Sequence, residues 1–334
     1  MTTSARIACG CMLLCFSAGG AARAADAPPE RLTMAVPGVP PVFSGLVAFV
    51  ARDQGFFKKH GVDVEVRPFD SGVATAQAVV AGGVDFSLSP TAAIVRMVSN
   101  GNVDLVGIWG MEHADWLLGS TEPGRAKCDL KGQSVGVDSV GGARAVALGE
   151  FLRPCGLKVE DVKLVSLSSN VGAAMIGGQI KLGILHIDDI PVIEEQTGKP
   201  VTVLATYRDV DTLTHYNLVV VKRDRLKQRR DAYVRALAAI VEAVRFANDP
   251  RNAARMAQIA TVTGRTAKLA GKILPRLEKI EFWPAKTDGL SRANIESVVK
   301  TEKQLGGIRP GKEPVSYDRL VDGSVWKDAS ALLE

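Results

Sequence analysis

From Arg31 onward strand-like and helix-like segments alternate, and this alternation constrains the fold more than any other feature. "RLTMAVP" (31–37) reads as a strand, with a helix after it over 44–53. "VDVEVRPF" (62–69) is a strand and "VATAQAVVAG" (73–82) a helix. "VDFSL" (84–88) is a strand, 91–98 a helix, and "VDLVGIW" (103–109) a fourth strand. The series then restarts with "SVGVD" (134–138), a helix over 143–153, "VKLVSL" (162–167), a helix over 171–177, "LGILHI" (182–187), a helix over 189–196 and "VTVLATY" (201–207). After "YNLVVVK" (216–222) the chain turns helical, with breaks at Asn248-Asp249-Pro250, Pro275 and Pro284. Alternation at this spacing predicts mostly parallel sheets covered by helices, the α/β class. Hydrophobic residues make up 46% of the chain but aromatic ones only 5%, which suits close helix–sheet packing better than a large β-sandwich. The 334 residues suffice for two domains, each with its own core.

The two series echo each other. Gly61 opens "GVDVEVRPF" and Gly82-Gly83 follows 21 residues on; Gly156 opens "GLKVEDVKLVSL" and Gly177-Gly178 follows 21 residues on. The blocks are offset by 95 residues, from 61 to 156. "AVVAGGVDFSLSPTAAIV" thereby aligns with "AAMIGGQIKLGILHIDDIPVI" with one residue inserted. Two such βαβ blocks predict two similar lobes with a cleft between them. Ligands of open α/β sheets sit outside the carboxyl ends of the strands, so the βα turns are where binding residues are expected.

The N-terminus reads as an export signal. Arg6 precedes the short apolar run "IACGCMLLCFSAGG" (Ile7–Gly20), and Ala22-Arg23-Ala24 fits a cleavage site. The run is too short to span a bilayer. Cleavage after Ala24 removes Arg6 and Arg23 and takes the formal charge from +5 to about +3. A lipoprotein is the alternative, but Cys15 follows Met12-Leu13-Leu14 rather than a leucine and two small residues. Residues 1–24 are therefore expected to be a signal peptide and the mature protein periplasmic. Cys9, Cys11 and Cys15 would leave with it, so that Cys128 and Cys155 remain where disulfides persist. Cys128 precedes the strand at 134–137 and Cys155 ends the helix after that strand, so the returning chain brings them near each other; a disulfide is expected, against two buried thiols. The basic residues are scattered, the densest group being "KRDRLKQRR" (Lys222–Arg230), with no aromatic interleaving of the kind nucleic-acid binding needs.

"LVAFVARDQGFFKKHGVDVEV" (Leu46–Val66), "AVVAGGVDFSLSP" (Ala78–Pro90) and "DLKGQSVGVDSVGG" (Asp129–Gly142) resemble motifs of ABC-transporter substrate-binding proteins for sulfonates, taurine, nitrate and thiamine-precursor pyrimidines. The resemblance covers about residues 31–245. It implies a two-lobed periplasmic-binding-protein fold of type II with two hinge crossings. Lobe 1 would comprise 31–115 plus 215–334 and lobe 2 would comprise 116–214. It also implies a small-molecule ligand, a permease partner in the inner membrane, no cofactor and a monomeric chain. Lys181 departs from the pattern, since an acid is usual there, as at Asp85 in the first lobe; this is expected to alter a surface turn.

Several turns offer candidate ligand contacts. "VPGVPPVFS" (36–44) would present Phe43 and Ser44 on a stiff loop. Ser71 follows the second strand and can cap the next helix. At Ser89-Pro90-Thr91 the serine reads as N-cap and the proline as first helical residue, which would leave the amides of Thr91 and Ala92 open. Trp109 and Gly110 end the fourth strand as a ligand wall or as core, with His113 at the crossing. In the second lobe Ser139, Gly141, Gly142 and Ala143 form a glycine-rich turn into a helix, whose free N–H groups and dipole favour an anion, with Arg144 adding charge. Asn170 lies in a similar small polar turn. His186, aligned with the Ser89-Pro90 turn by the repeat, reads as a ligand contact or a satisfied hinge histidine, beside Asp188. Tyr207 ends the last strand of the series. His113, His186 and Asp188 lack the tight spacing of a metal site, so none is expected.

Three function classes remain. The first is a solute-binding protein that closes on a small anion, a sulfonate or aromatic carboxylate, with a pyrimidine as rival ligand. The second is a ligand-sensing module. The third is an enzyme on the same fold. The related pyrimidine synthases need a cysteine-rich segment absent here and no His-Glu-x-x-His motif appears; the Gly-x-Ser-x-Gly match at Gly132-Gln133-Ser134-Val135-Gly136 opens the strand expected at 134–138 and is not a strand-to-helix turn, so no catalytic residue is assigned.

Overall fold

The computed structural model describes residues 29–101, 103–138, 140, 143–167, 170–210 and 213–334. The expected signal peptide and its three cysteines lie outside these residues.

In the first half, strand β1 (Glu30–Pro37) leads through α1 (Leu46–Asp53) and the single turn α2 (Phe56–Lys59) to β2 (Val62–Phe69). Helix α3 (Gly72–Ala81), β3 (Phe86–Pro90), α4 (Thr91–Asn100) and β4 (Leu105–Met111) follow. The chain then passes to a second sheet and forms β5 (Trp116–Ser120), β6 (Ser134–Val137), α5 (Ala143–Leu152), β7 (Lys163–Ser166), α6 (Val171–Ile176), β8 (Leu182–His186), α7 (Asp189–Thr197) and β9 (Thr202–Thr206). It returns as β10 (Asn217–Lys222) and ends in α8 (Arg223–Gln228), α9 (Arg230–Ala247), α10 (Ala253–Ile259), α11 (Ala267–Lys279), α12 (Arg292–Gln304), α13 (Tyr317–Leu320) and α14 (Ser324–Ala331).

The two five-stranded sheets have the orders β2-β1-β3-β10-β4 and β7-β6-β8-β5-β9. Exchanging β1 for β6, β2 for β7, β3 for β8, β4 for β9 and β10 for β5 turns one order into the other. The internal echo at Gly61 and Gly156 is thus the trace of two lobes with one topology. In each sheet the antiparallel strand enters after the chain has visited the other lobe: β10 pairs antiparallel with β3 and β4, and β5 with β8 and β9. The sequence reading missed β5. Five residues directly after a crossing, one of them Gly119, offer too little periodicity to separate a strand from a connector.

Period-two burial explains the layering. Val62, Val64 and Val66 of β2 face inward while Asp63, Glu65 and Arg67 face water, a charged outer face suited to an edge strand. β10 is central and buried on both faces: Val219 and Val221 join the cluster under α1 and α9, and Leu218 and Val220 join the one under α3, α4 and α12. The second sheet repeats this plan, with α5 on one face and α6 and α7 on the other. Ile187 packs against a cluster of each lobe. Cys128 and Cys155 form a disulfide with Cα atoms 5.3 Å apart.

Lys181 is exposed and pairs with Glu122 at 2.9 Å, on the surface as expected. Asp85, its counterpart in the repeat, is fixed within the first lobe by Arg229 at 2.8 Å and by the amide of Thr33. Among the described residues no helix is long and apolar enough to cross a membrane.

Candidate functional site

The turn at Ser89-Pro90-Thr91 is fully engaged inside its own lobe. Ser89 Oγ lies 2.7 Å from Thr75 Oγ1 and 2.8 Å from Ser87 Oγ, so it does not cap the helix. Pro90 ends β3 and is itself the N-cap of α4, one residue later than expected. Thr91 N–H donates to the Tyr216 carbonyl at 3.0 Å, so that amide is not open to a ligand. The Thr91 hydroxyl lies 2.7 Å from His215 Nδ1, whose Nε2 lies 2.7 Å from the Gly289 carbonyl. A carbonyl only accepts, so Nε2 carries the proton and Nδ1 accepts from Thr91. Burial pushes the His215 pKa down to about 4, which keeps the ring neutral. Pro90 also presses on Gly72, where an added Cβ would lie 2.4 Å from the proline ring.

Other first-lobe candidates serve packing. Trp109 is 1% exposed in the core and its indole N–H has no partner there. Gly110 lies against Gly289; a Cβ at Gly110 would stand 2.3 Å from the Gly289 carbonyl oxygen. Phe43 and Ser44 are buried, the Ser44 carbonyl accepting from Trp283 Nε1 at 3.3 Å while its hydroxyl is unpartnered. Ser71 caps α3 as expected, accepting from the amide of Ala74 at 3.2 Å. His113 and Asn170 are exposed. Ser139, Gly141 and Gly142 lie outside the described residues, and Ala143 is the first residue of α5.

Arg144, His186, Asp188 and Tyr207 do come together, around residues the sequence reading passed over. β5 runs antiparallel to β8, which sets Trp116 opposite His186 at the carboxyl end of β8. Asp115, just before Trp116, is 3% exposed and its Oδ1 lies 2.9 Å from His186 Nδ1. Burial opposes a charged imidazole, but the charge and hydrogen bond of Asp115 outweigh it and raise the His186 pKa. Asp188 takes a forked contact from Arg265, at 2.6 Å from Nη2 and 3.0 Å from Nε. Burial, reinforced by neighbouring Asp189, still raises the Asp188 pKa to about 6. Asp189 Oδ2 accepts the His186 amide at 3.0 Å and fixes the turn.

Arg144 is 8% exposed. Its Nη1 donates to the Ile184 carbonyl at 3.1 Å, and among the described residues no carboxylate pairs with its guanidinium. Its charge acts on both His186 and the Tyr216 hydroxyl, so the three groups lie near one another. A chain of rings crosses between the lobes: Phe151–Tyr207 at 5.0 Å, Tyr207–Trp116 at 6.5 Å, Trp116–Tyr216 at 5.5 Å, Tyr216–Phe282 at 6.0 Å and Phe282–Trp283 at 5.2 Å. The indole N–H of Trp116 is buried and has no partner among the described residues. Burial raises the pKa of Tyr207 and Tyr216, so both phenols stay neutral donors.

Asp115, His186 and Asp188 each offer an atom within 4.8 Å of the others. The imidazole already answers Asp115, and Arg265 already answers Asp188, so the trio behaves as part of an ion-pair network. What this cluster offers a ligand is a buried cation, an N–H donor with no partner among the described residues, and a row of aromatic rings.

The NMT1/THI5-like family model matches residues 42–253, well over half the chain. The chain belongs to the NMT1/THI5-like family. A curated relative from Brucella abortus, described as a binding protein, is 23% identical over 274 residues, covering 81% of this chain and 85% of its own. The periplasmic nitrate-binding protein of Synechocystis matches with a TM-score of 0.71 at 13% identity, over 91% of this chain and 89% of its own. A periplasmic sulfonate-binding protein from Methylobacillus flagellatus matches at 0.70 with 16% identity, over 92% and 95%. A DSZB point mutant in complex with biphenyl-2-sulfinic acid matches at 0.64 with 17% identity, over 91% and 99%. These likenesses show the periplasmic-binding-protein fold.

Proposed function

We propose that this chain is the solute-binding component of an ABC importer and that it captures a small organic anion with an aromatic part, a sulfonate or aromatic carboxylate. The observation that carries the reading is Arg144: a buried guanidinium with no carboxylate partner among the described residues, beside a continuous aromatic wall. A buried cation left without a counter-charge is costly, and an anionic ligand relieves that cost. The sulfonate- and nitrate-binding neighbours support this class of ligand. Lobe 1 is taken as 31–115 plus 215–334 and lobe 2 as 116–214. Residues 1–24 act as the export signal, the mature monomer works in the periplasm, and an inner-membrane permease receives the closed form. A ligand touching both lobes favours closure because it binds the closed state better. Arg144, Trp116, Tyr207 and His186 hold it from the second lobe, and Tyr216 meets it at the crossing.

A neutral pyrimidine is the second reading. The Asp115–His186 pair offers adjacent acceptor and donor groups of the kind a heterocycle edge uses. Binding without catalysis is the role that the description of the Brucella relative as a binding protein supports. A thermal-shift screen with sulfonates, aromatic carboxylates, nitrate and pyrimidines separates them. Stabilisation by benzenesulfonate or benzoate is expected. A shift with neutral pyrimidines alone overturns the anion reading.

A further inference from the structure

Helices α7 and α11 belong to different lobes and meet at a second place where the lobes touch. α11 is held in lobe 1 by Leu269, Ala270, Ile273 and Leu277, and α7 in lobe 2 by Ile190 and Ile193. From Asp188 to Thr197 the chain carries Asp188, Asp189, Glu194 and Glu195 and no base. Opposite it, Arg265 precedes the Thr266 cap of α11, and Lys268, Lys272, Arg276 and Lys279 recur at three- and four-residue steps, which places basic residues along one side of the helix. Arg265, Lys268 and Arg276 pair with the facing acids. Arg265 contacts Asp188 at 2.6 Å and Asp189 at 3.4 Å, Lys268 contacts Glu195 at 3.0 Å, and Arg276 contacts Glu194 at 3.8 Å.

We propose that this row of ion pairs is an electrostatic clasp that holds the cleft shut, so that closure is secured by protein–protein contacts as well as by the ligand. Each pair joins residues of different lobes, so parting the lobes breaks all of them together and each favours only the closed state. The acidic side is set in advance by its own lobe: Asp189 also accepts the His186 amide, and Glu194 accepts the amide of Val201 at 3.3 Å. Preset partners lose less side-chain freedom when the pairs form. The exposed Lys268–Glu195 pair contributes little alone, but a row acting on one motion adds up. The clasp also reaches the ligand space, because Asp188, its most enclosed acid, lies two residues beyond His186. This inference stands whichever ligand the cleft takes.

Small-angle scattering of the full chain without added ligand tests it. A compact chain of this length has a radius of gyration of about 20 Å. Lys268→Glu combined with Arg276→Glu should shift the radius upward at low salt, and adding Glu195→Lys should recover part of that shift. The wild type should expand when salt is raised to about 1 M, where charges beyond about 3 Å are screened. Lys268 is exposed and Arg276 half-buried, so melting followed by circular dichroism checks that the variant is folded, and Lys268→Glu alone repeats the test should the arginine change destabilise the chain. A radius indifferent to charge reversal overturns the clasp, even where salt expands the wild type.

Discussion

At the residue scale, Arg144 and His215 show two opposite uses of a buried ionisable side chain. Among the described residues the Arg144 guanidinium has only the Ile184 carbonyl to answer it. Replacing it with alanine should weaken binding of benzenesulfonate, or of whichever anion gives the largest thermal shift, by about 10- to 100-fold, as loss of a charge-assisted hydrogen bond does. Titration calorimetry measures this, and Arg144→Lys should recover only part because it lacks the fork. His215 gives up its charge. Its pKa falls from 6.5 to about 4 through burial, so between those values the unfolded chain binds a proton that the folded chain does not. Stability present above pH 6.5 is therefore lost as pH falls toward 4, by roughly 3 kcal/mol in total. His215→Gln should flatten that acid limb in urea titrations at successive pH values. Asp188 runs the other way: its raised pKa means the folded chain holds the extra proton between 3.8 and about 6, so this group alone favours folding more as pH falls through that window.

At the element scale, most of the fold was legible because its signals are local. Strand alternation, the glycine pairs and the Ser71 cap are written within a few residues of where they act. The helices expected at 91–98 and 189–196 fall within a residue or two of α4 (Thr91–Asn100) and α7 (Asp189–Thr197). The candidate site was less legible. Asp115, Trp116 and Tyr216 flank the crossings, where no periodicity marks a residue as facing a ligand, and Arg265 meets an acid 77 residues away. The reading of Trp109 and Gly110 with His113 at the crossing stopped two residues before the buried acid Asp115. Ser89 looked like a cap because its competing partner, Thr75, is brought to it only by packing of α3 on β3. Gly110 is necessary for a similar reason. Gly289, which faces it, has φ +61, and a Cβ at Gly110 would strike its carbonyl oxygen at 2.3 Å. Gly110→Ala should lower unfolding free energy by about 1–3 kcal/mol or more, measured by urea denaturation. The Cys128–Cys155 bond closes a span of 27 residues, for which loop-closure entropy gives about 3.5 kcal/mol. Cys128→Ser with Cys155→Ser should destabilise by roughly 2–4 kcal/mol in the same assay.

At the scale of the whole molecule, the exchanged antiparallel strand has a consequence for the order of events during synthesis. Among the described strands β4 pairs with β10 alone, and its Gly107 also bridges Val321; both partners are made after the entire second lobe. The second sheet, by contrast, is continuous from β5 to β9. As the chain emerges, the second lobe can complete its sheet while the first still has β4 as a waiting edge. Domains generally form as units in the order they appear; here the lobe that begins first must finish last. A chain ending near residue 210 would hold one closed sheet and one with an open, apolar edge, which is the surface that aggregates or recruits a chaperone.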